Sequence, residues 1–213
     1  MSASKVERFY LQPTVYSPNS PLPVLLYRGV LPQPYTEEST SRFLEANDWE
    51  KKVRLLCRWS FLVGFLTFDL GEGTWGHIGT HHFHPNTHEC YVAYDDVTEH
   101  GSSTLIIGRG RLDEKGGVYI SVTAGDVIVI PAGTTHCSLE SKGDYRYVGV
   151  YPTGSPRWRN EFGENPVKIN TMRKEILRVE MPTQDPVYGK EGPLIGLWDE
   201  ALRSFSKGGA AKL

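Results

Sequence analysis

The chain has 213 residues, with 23 Lys and Arg against 25 Asp and Glu, for a net charge of -2. That length is enough for one well-cored domain with extensions, and the balanced charge argues against a nucleic-acid-binding surface. Glycine (22) and proline (14) are frequent enough to suit a strand-and-turn protein better than a helical one.

Positions 1–35 read as an extended arm, with prolines at 13, 21, 23, 32 and 34 among them. Its apolar piece, Val24 to Tyr27, is suited to pair with a sheet edge. Thr36 is an N-cap candidate followed by Glu37 and Glu38, so a short helix is expected there, closed by Asn47 and Asp48. From Arg54 the pattern changes to short apolar or alternating runs: Leu55 to Cys57, Phe61 to Leu70, Glu89 to Tyr94, Leu105 to Ile107, Val118 to Val122, Val127 to Ile130 and Tyr145 to Tyr151. Glycine-rich turns separate them, which predicts an all-β barrel or two-sheet jelly roll with no helix between Arg54 and Tyr151. Positions 157–191 show no clear periodicity and are expected to wrap the barrel surface. Leu194, Leu197, Trp198, Ala201, Leu202 and Phe205 recur at helical spacing behind Pro193, so a closing helix docked on the barrel is predicted. The expected organisation is therefore an arm and helix over 1–52, a barrel over 53–152 and a C-terminal wrap over 153–213, a single domain overall.

Compartment signals are sparse. The first ten residues are charged and lack the apolar centre of a secretory leader, and the run Phe61 to Phe68 is too short to span a bilayer. The three cysteines, Cys57, Cys90 and Cys137, fit no zinc spacing and read as reduced core thiols. A cytoplasmic location is expected. The C-terminal Ala211-Lys212-Leu213 is similar to a peroxisomal address, which would matter only in a eukaryotic host.

Histidine is the informative residue: six of the seven lie between His77 and His100. In extended chain His82 and His84 point to one side, and a turn of four residues brings Glu89 within reach of them. The seventh, His136, ends Gly125-Asp126-Val127-Ile128-Val129-Ile130-Pro131-Ala132-Gly133-Thr134-Thr135-His136. His82, His84, Glu89 and His136 match the two spaced motifs of the cupins, which the chain resembles. The first motif is His-x-His, three or four residues, then Glu; the second is Gly, five residues, Pro-x-Gly, two residues, then His. Two features depart from the pattern. The glycine expected seven residues after Glu89 is absent unless 95–100 is an inserted hairpin tip, with Gly101 in its place. Glu140 stands where Asn is usual. Pro21 to Gly29, Ala124 to His136 and Asp185 to Leu194 further resemble the YjlB-like cupins, so the likeness runs from about Pro21 to Trp198.

That resemblance implies a cupin double-stranded β-helix, a jelly-roll barrel with one divalent metal held by His82, His84, Glu89 and His136. Three imidazoles and a carboxylate suit Fe2+, with Mn2+, Ni2+ or Co2+ as alternatives, and rank Zn2+ lower because four ligands would close it. Spacing alone leaves His88 as a rival ligand to Glu89; alternation prefers Glu89 and makes His88 either a support behind the ligands or a proton shuttle at the pocket mouth. Glu140, four residues past His136 on the expected inward face, is the candidate acid or base. Tyr91, Tyr147 and Arg146 are further pocket candidates, although Tyr145, Tyr147, Gly149 and Tyr151 share one face of the last strand and alternation turns Arg146 the other way; Arg157 and Arg159 are candidate clamps for an acidic substrate from outside the barrel. The expected function is a metal-dependent enzyme acting on a small molecule, an oxygenase first. A non-redox isomerase or lyase, or a metal- or ligand-binding cupin without catalysis, remains open. The expected partner is a small-molecule substrate, with neither nucleic acid nor membrane, and self-association as a homodimer is compatible with the reading.

Overall fold

The computed structural model describes residues 6–52, 74–94 and 101–210. The predicted strands Leu55 to Cys57 and Phe61 to Leu70, the insertion 95–100 and the C-terminal tripeptide lie outside the described residues. The described strands are β1 (Glu7–Phe9), β2 (Val24–Tyr27), β3 (Trp49–Glu50), β4 (Thr74–Trp75), β5 (Glu89–Tyr94), β6 (Ser102–Ile107), β7 (Val118–Thr123), β8 (Val127–Ile130), β9 (His136–Lys142) and β10 (Arg146–Pro152). Three helices accompany them: α1 (Glu37–Glu45), α2 (Pro166–Ile176) and α3 (Leu194–Ala210). Among the described residues no helix is long and apolar enough to cross a membrane.

The strands form two antiparallel sheets, an all-β jelly-roll arrangement. The larger runs β1-β2-β8-β5-β10-β3, with β4 also on β10; the smaller runs β7-β6-β9. The arm predicted to reach a sheet edge does more, because β2 pairs with β8 and carries β1 on its other side. Between the sheets lie Val24, Leu26, Tyr91, Ala93, Leu105, Ile107, Ile120, Val122, Ile128, Ile130 and Tyr147. The opposite face of the large sheet packs Leu25, Tyr27, Cys90, Val92, Val127, Val129, Val148 and Val150 against Leu44 of α1 and Leu194, Trp198 and Ala201 of α3. Covered on both faces, β2, β5 and β8 are buried at every position, which is why Val-Ile-Val-Ile shows no alternation of polarity. In β7 the alternation survives, because its odd residues face water.

The helix at Thr36 forms as expected, its hydroxyl accepting from the Ser39 amide. The predicted closing helix forms and docks through Leu194, Trp198 and Ala201, while Phe205 stays exposed. The reading of 157–191 as wrap without periodicity needs correction, because it contains α2. Asn165 Oδ1 caps its start by accepting from the Lys168 amide, Pro166 follows the cap, and Ile169, Met172 and Ile176 form a sparse stripe buried against Phe83 and Ala132. Four apolar residues in eleven, Val167, Ile169, Met172 and Ile176, give too weak a signal beside the charges around them. Gly101 is required by close packing: a Cβ there would sit 2.5 Å from the Tyr145 backbone.

Asp185 ties the C-terminal wrap to the barrel. It is fully buried; its Oδ1 accepts from the Val187 and Tyr188 amides, and its Oδ2 accepts from the Leu194 amide and, at 2.6 Å, the Tyr27 hydroxyl of β2. One carboxylate thus satisfies the loop, the start of α3 and a strand hydroxyl. Asp185→Ala should cost about 3 kcal/mol or more of unfolding free energy, because four donors lose their acceptor in a buried place. Asp185→Asn should cost less. Urea unfolding of the two variants checks the order.

Candidate metal centre

Two backbone bonds bring the two histidine segments together. The His82 amide donates to the His136 carbonyl at 3.1 Å, and the His136 amide donates back at 2.9 Å. His136 opens β9, whose partner β6 fixes it opposite Ile107. The turn between β8 and β9 is closed by Gly133 (φ +80), whose amide donates to the His84 carbonyl at 2.8 Å. Glu89 opens β5 opposite Ile130. The four side chains are all buried.

The imidazoles are oriented by their outer nitrogens. Nδ1 of His82 lies 2.8 Å from the Thr80 carbonyl, that of His84 3.2 Å from the Arg159 carbonyl and that of His136 3.0 Å from the Thr134 carbonyl. A carbonyl only accepts, so each Nδ1 carries the proton and each Nε2 presents a lone pair inward. The three ligand nitrogens lie within 4.8 Å of one another. Glu89 Oε2 is 2.9 Å from His84 Nε2 and 3.4 Å from His136 Nε2, yet none of these three atoms makes a hydrogen bond. Burying such acceptors unsatisfied costs about 1–3 kcal/mol each. A divalent ion with bonds of ~2.1 Å places adjacent donors roughly 3 Å apart, so the spacing fits one. Burial, and then the neighbouring His136 and His84, hold His82 down to about 3, so it is neutral near pH 7 and needs no deprotonation to bind. For Glu89 burial acts upward, but His84 and His136, when protonated in the absence of an ion, outweigh it and hold the carboxylate below its usual range. The Tyr151 hydroxyl donates to the other oxygen, Oε1, at 2.6 Å and so sets the carboxylate plane.

Above the donors is a cavity of about 300 Å3 lined by Trp75, Ile78, Tyr91, Tyr147, Tyr151, Arg157, Trp158 and Asn160 as well as His82, His84 and Glu89. Larger cavities of about 540 and 630 Å3 lie elsewhere, but no such convergence of donor atoms marks them among the described residues. Trp75 and Trp158 escaped the sequence reading: Trp158 lies beyond the last strand, and only the fold shows that the chain doubles back there. Asn86 holds that return, donating to the Arg157 carbonyl at 2.8 Å and accepting from the Arg159 amide at 3.0 Å.

Of the predicted site residues, His82, His84, Glu89 and His136 are brought together, with Tyr91 and Tyr147 in the cavity wall. Two assignments are corrected. Glu140 does not face the pocket; its side chain is 61% exposed and 3.5 Å from Lys142. The cause is a β-bulge: Leu105 pairs with Ser138 and Thr104 with Glu140, so Leu139 is an extra residue and the alternation inverts beyond it. His88 is not at the mouth. It lies on the opposite side of its strand, its ring 4.7 Å from Trp198 and its Nδ1 accepting from the Ala132 amide, and burial pushes it down to about 3. Arg146 points outward and pairs with Asp144, and Arg159 is taken by Glu161 and Glu175, whereas Arg157 lines the cavity. His77 is exposed, and His81 is half-buried with its Nδ1 at the Arg109 carbonyl. His100 lies outside the described residues.

No family model matches the chain. Among curated proteins it is 34% identical over 120 residues to the uncharacterized protein YjlB of Bacillus subtilis strain 168, an overlap of 55% of this chain. The chain spans 64% of the length of YjlB, less than two thirds. Among solved structures, a variant of Bacillus subtilis oxalate decarboxylase overlaps 41% of this chain and 21% of its own at 23% identity, with a TM-score of 0.27. The vicilin of Solanum melongena overlaps 53% of this chain and 33% of its own at 14% identity, with a TM-score of 0.25. Both structural overlaps are too shallow to decide fold or function.

The centre makes separable demands on its residues. His84→Ala or His136→Ala should abolish stoichiometric metal in the purified protein, measured by elemental analysis, with circular dichroism still reporting the barrel. Tyr151→Phe should keep the fold but weaken metal affinity roughly 10- to 100-fold, because it releases the ligand carboxylate. Glu140→Gln should leave metal content unchanged.

Proposed function

We propose that the chain is a YjlB-like cupin and a metal-dependent enzyme acting on a small organic molecule, with oxygenase chemistry favoured. One observation carries the reading: four buried donor atoms converge at the floor of an aromatic cavity that is open to a small molecule. His82, His84, His136 and Glu89 would hold one divalent ion, Fe2+ first and Mn2+, Ni2+, Co2+ or Zn2+ as alternatives. Bound there, the ion supplies Lewis acidity toward a substrate oxygen and, if it is iron, the one-electron chemistry that dioxygen requires.

The protein residues supply the surroundings. Burial raises Tyr91, Tyr147 and Tyr151 well above the usual phenol range, with the Glu89 charge adding to it, so their hydroxyls stay protonated and serve as donors at neutral pH. The aromatic walls exclude water from the floor and orient a flat molecule. With Glu140 outside, Glu89 is the carboxylate among the described lining residues, and as a ligand it is poorly placed to double as a general base. That weighs against an isomerase built on a carboxylate base and toward chemistry centred on the ion. A lyase is the second reading, because the Tyr147 hydroxyl lines the cavity as a hydrogen-bond donor to a substrate oxygen.

Iron-loaded protein is expected to consume dioxygen in step with substrate, with no turnover under anaerobic conditions. Equal turnover without oxygen, sustained with Mn2+ or Ni2+, would assign the lyase or isomerase class instead. Stoichiometric metal and ligand binding with no turnover under either atmosphere would make the protein a binding cupin.

A further inference from the structure

A second cavity, of about 540 Å3, lies away from the metal centre between the N-terminal arm, α2 and α3. Helical spacing puts Arg173, Ile176 and Leu177 on one side of it, at the end of α2, and Ala201 and Phe205 on the other, along α3. Tyr10 of the arm lines it as well. Tyr10, Leu177 and Phe205 are 58%, 50% and 53% exposed. Three segments distant in sequence thus leave large apolar side chains open to water around one groove. Such clustering marks a binding surface, whereas scattered exposure does not.

One polar group in the wall is unsatisfied. Arg173 Nε is buried yet makes no hydrogen bond, and among the described residues no carboxylate pairs with the guanidinium. A buried donor without an acceptor is costly, and its poor hydration strengthens its attraction for an anion. Glu200 also lines the groove, but it is exposed, so water screens its charge. The volume falls in the range of small-molecule sites, roughly 300–1,000 Å3. Mainly apolar walls with one half-buried cation among them suit an amphipathic anion.

We propose that this groove binds a medium-chain alkyl carboxylate, with its carboxylate on Arg173 and its chain along Ile176, Leu177, Ala201 and Phe205. The site is independent of the metal reading, although it lies behind the donors. Ile176 packs against Gly133, where a Cβ would sit 2.5 Å from its Cδ1, and the Gly133 amide donates to the His84 carbonyl.

Titration calorimetry on the full-length protein tests this with octanoate, octanol and octylamine, all below their micelle concentrations. The wild-type protein should bind octanoate ~10-fold or more tighter than octanol, and octylamine most weakly. Arg173→Leu should weaken octanoate ~10-fold or more and leave octanol within about 3-fold, and Arg173→Lys should recover part of the loss. Phe205→Ser should weaken octanoate and octanol alike. Octanoate binding should persist in the metal-poor His84→Ala protein, and its loss there would place the ligand at the metal centre and overturn the assignment. Octylamine binding as tight as octanoate, or equal losses of octanoate and octanol in Arg173→Leu, would overturn it too, because the guanidinium would then play no part. So would failure of octanoate to bind; if Phe205→Ser then also converted a dimer to a monomer in sedimentation velocity, the groove would belong to a second copy of this chain.

Discussion

The site depends on a reciprocal pair of backbone hydrogen bonds between His82 and His136, residues 54 positions apart in sequence. Hydrogen-bonding both peptide groups of each residue to the other sets the two side chains side by side, with ring centroids 4.4 Å apart. Neighbouring carbonyls then bind each Nδ1, so the inward lone pairs follow from main-chain geometry. The donors are therefore held by the main chain, and leaving their inward lone pairs unmet carries a cost that an ion would relieve. Such a cost is tolerated only where the surrounding sheets are stable enough to bear it.

That stability comes from the large sheet, which is buried on both faces. One face lines the interior shared with β7-β6-β9; the other is covered by α1 and α3, with Trp198 fully buried and donating to the Pro23 carbonyl. β5 shows how this separates functions along a single strand. Glu89, Tyr91 and Ala93 face the interior, whereas Cys90 and Val92 face the helices. His88, just before β5, falls on the helix side and becomes a packing residue. Adjacent residues of one motif therefore serve different cores, and the imidazole beside a ligand has no part in the centre.

A bulge redraws the smaller sheet in a similar way. Had β9 run regularly, Glu140 would share the inward face with His136 and Ser138; one extra residue at Leu139 sends it to solvent and turns Ser141 inward, where it donates to Ser103. Strand alternation is a reliable guide only while pairing remains in register, and the partner strand reveals the interruption. The missed helix α2 is a related case. Its buried residues Ile169, Met172 and Ile176 acquire meaning from Phe83 and Ala132, which lie far away in the chain.

By itself the sequence determined the local and periodic features: the apolar runs of β5, β8 and β10, the capped α1, the stripe of α3, and the spacing of His82, His84, Glu89 and His136. These are legible because side-chain alternation, capping and turn chemistry act over a few residues. Only the tertiary structure decided which sites those features build. It brought Trp158 and Arg157 back over the donors, paired Arg159 with Glu161 and Glu175, buried His88 against Trp198 and expelled Glu140 through the bulge. Each of those outcomes depends on contacts between segments distant in the chain, and no short-range pattern specifies them. The metal donors were visible in the spacing of residues, whereas the cavity that would select a substrate exists only once the sheets and the C-terminal return have packed together.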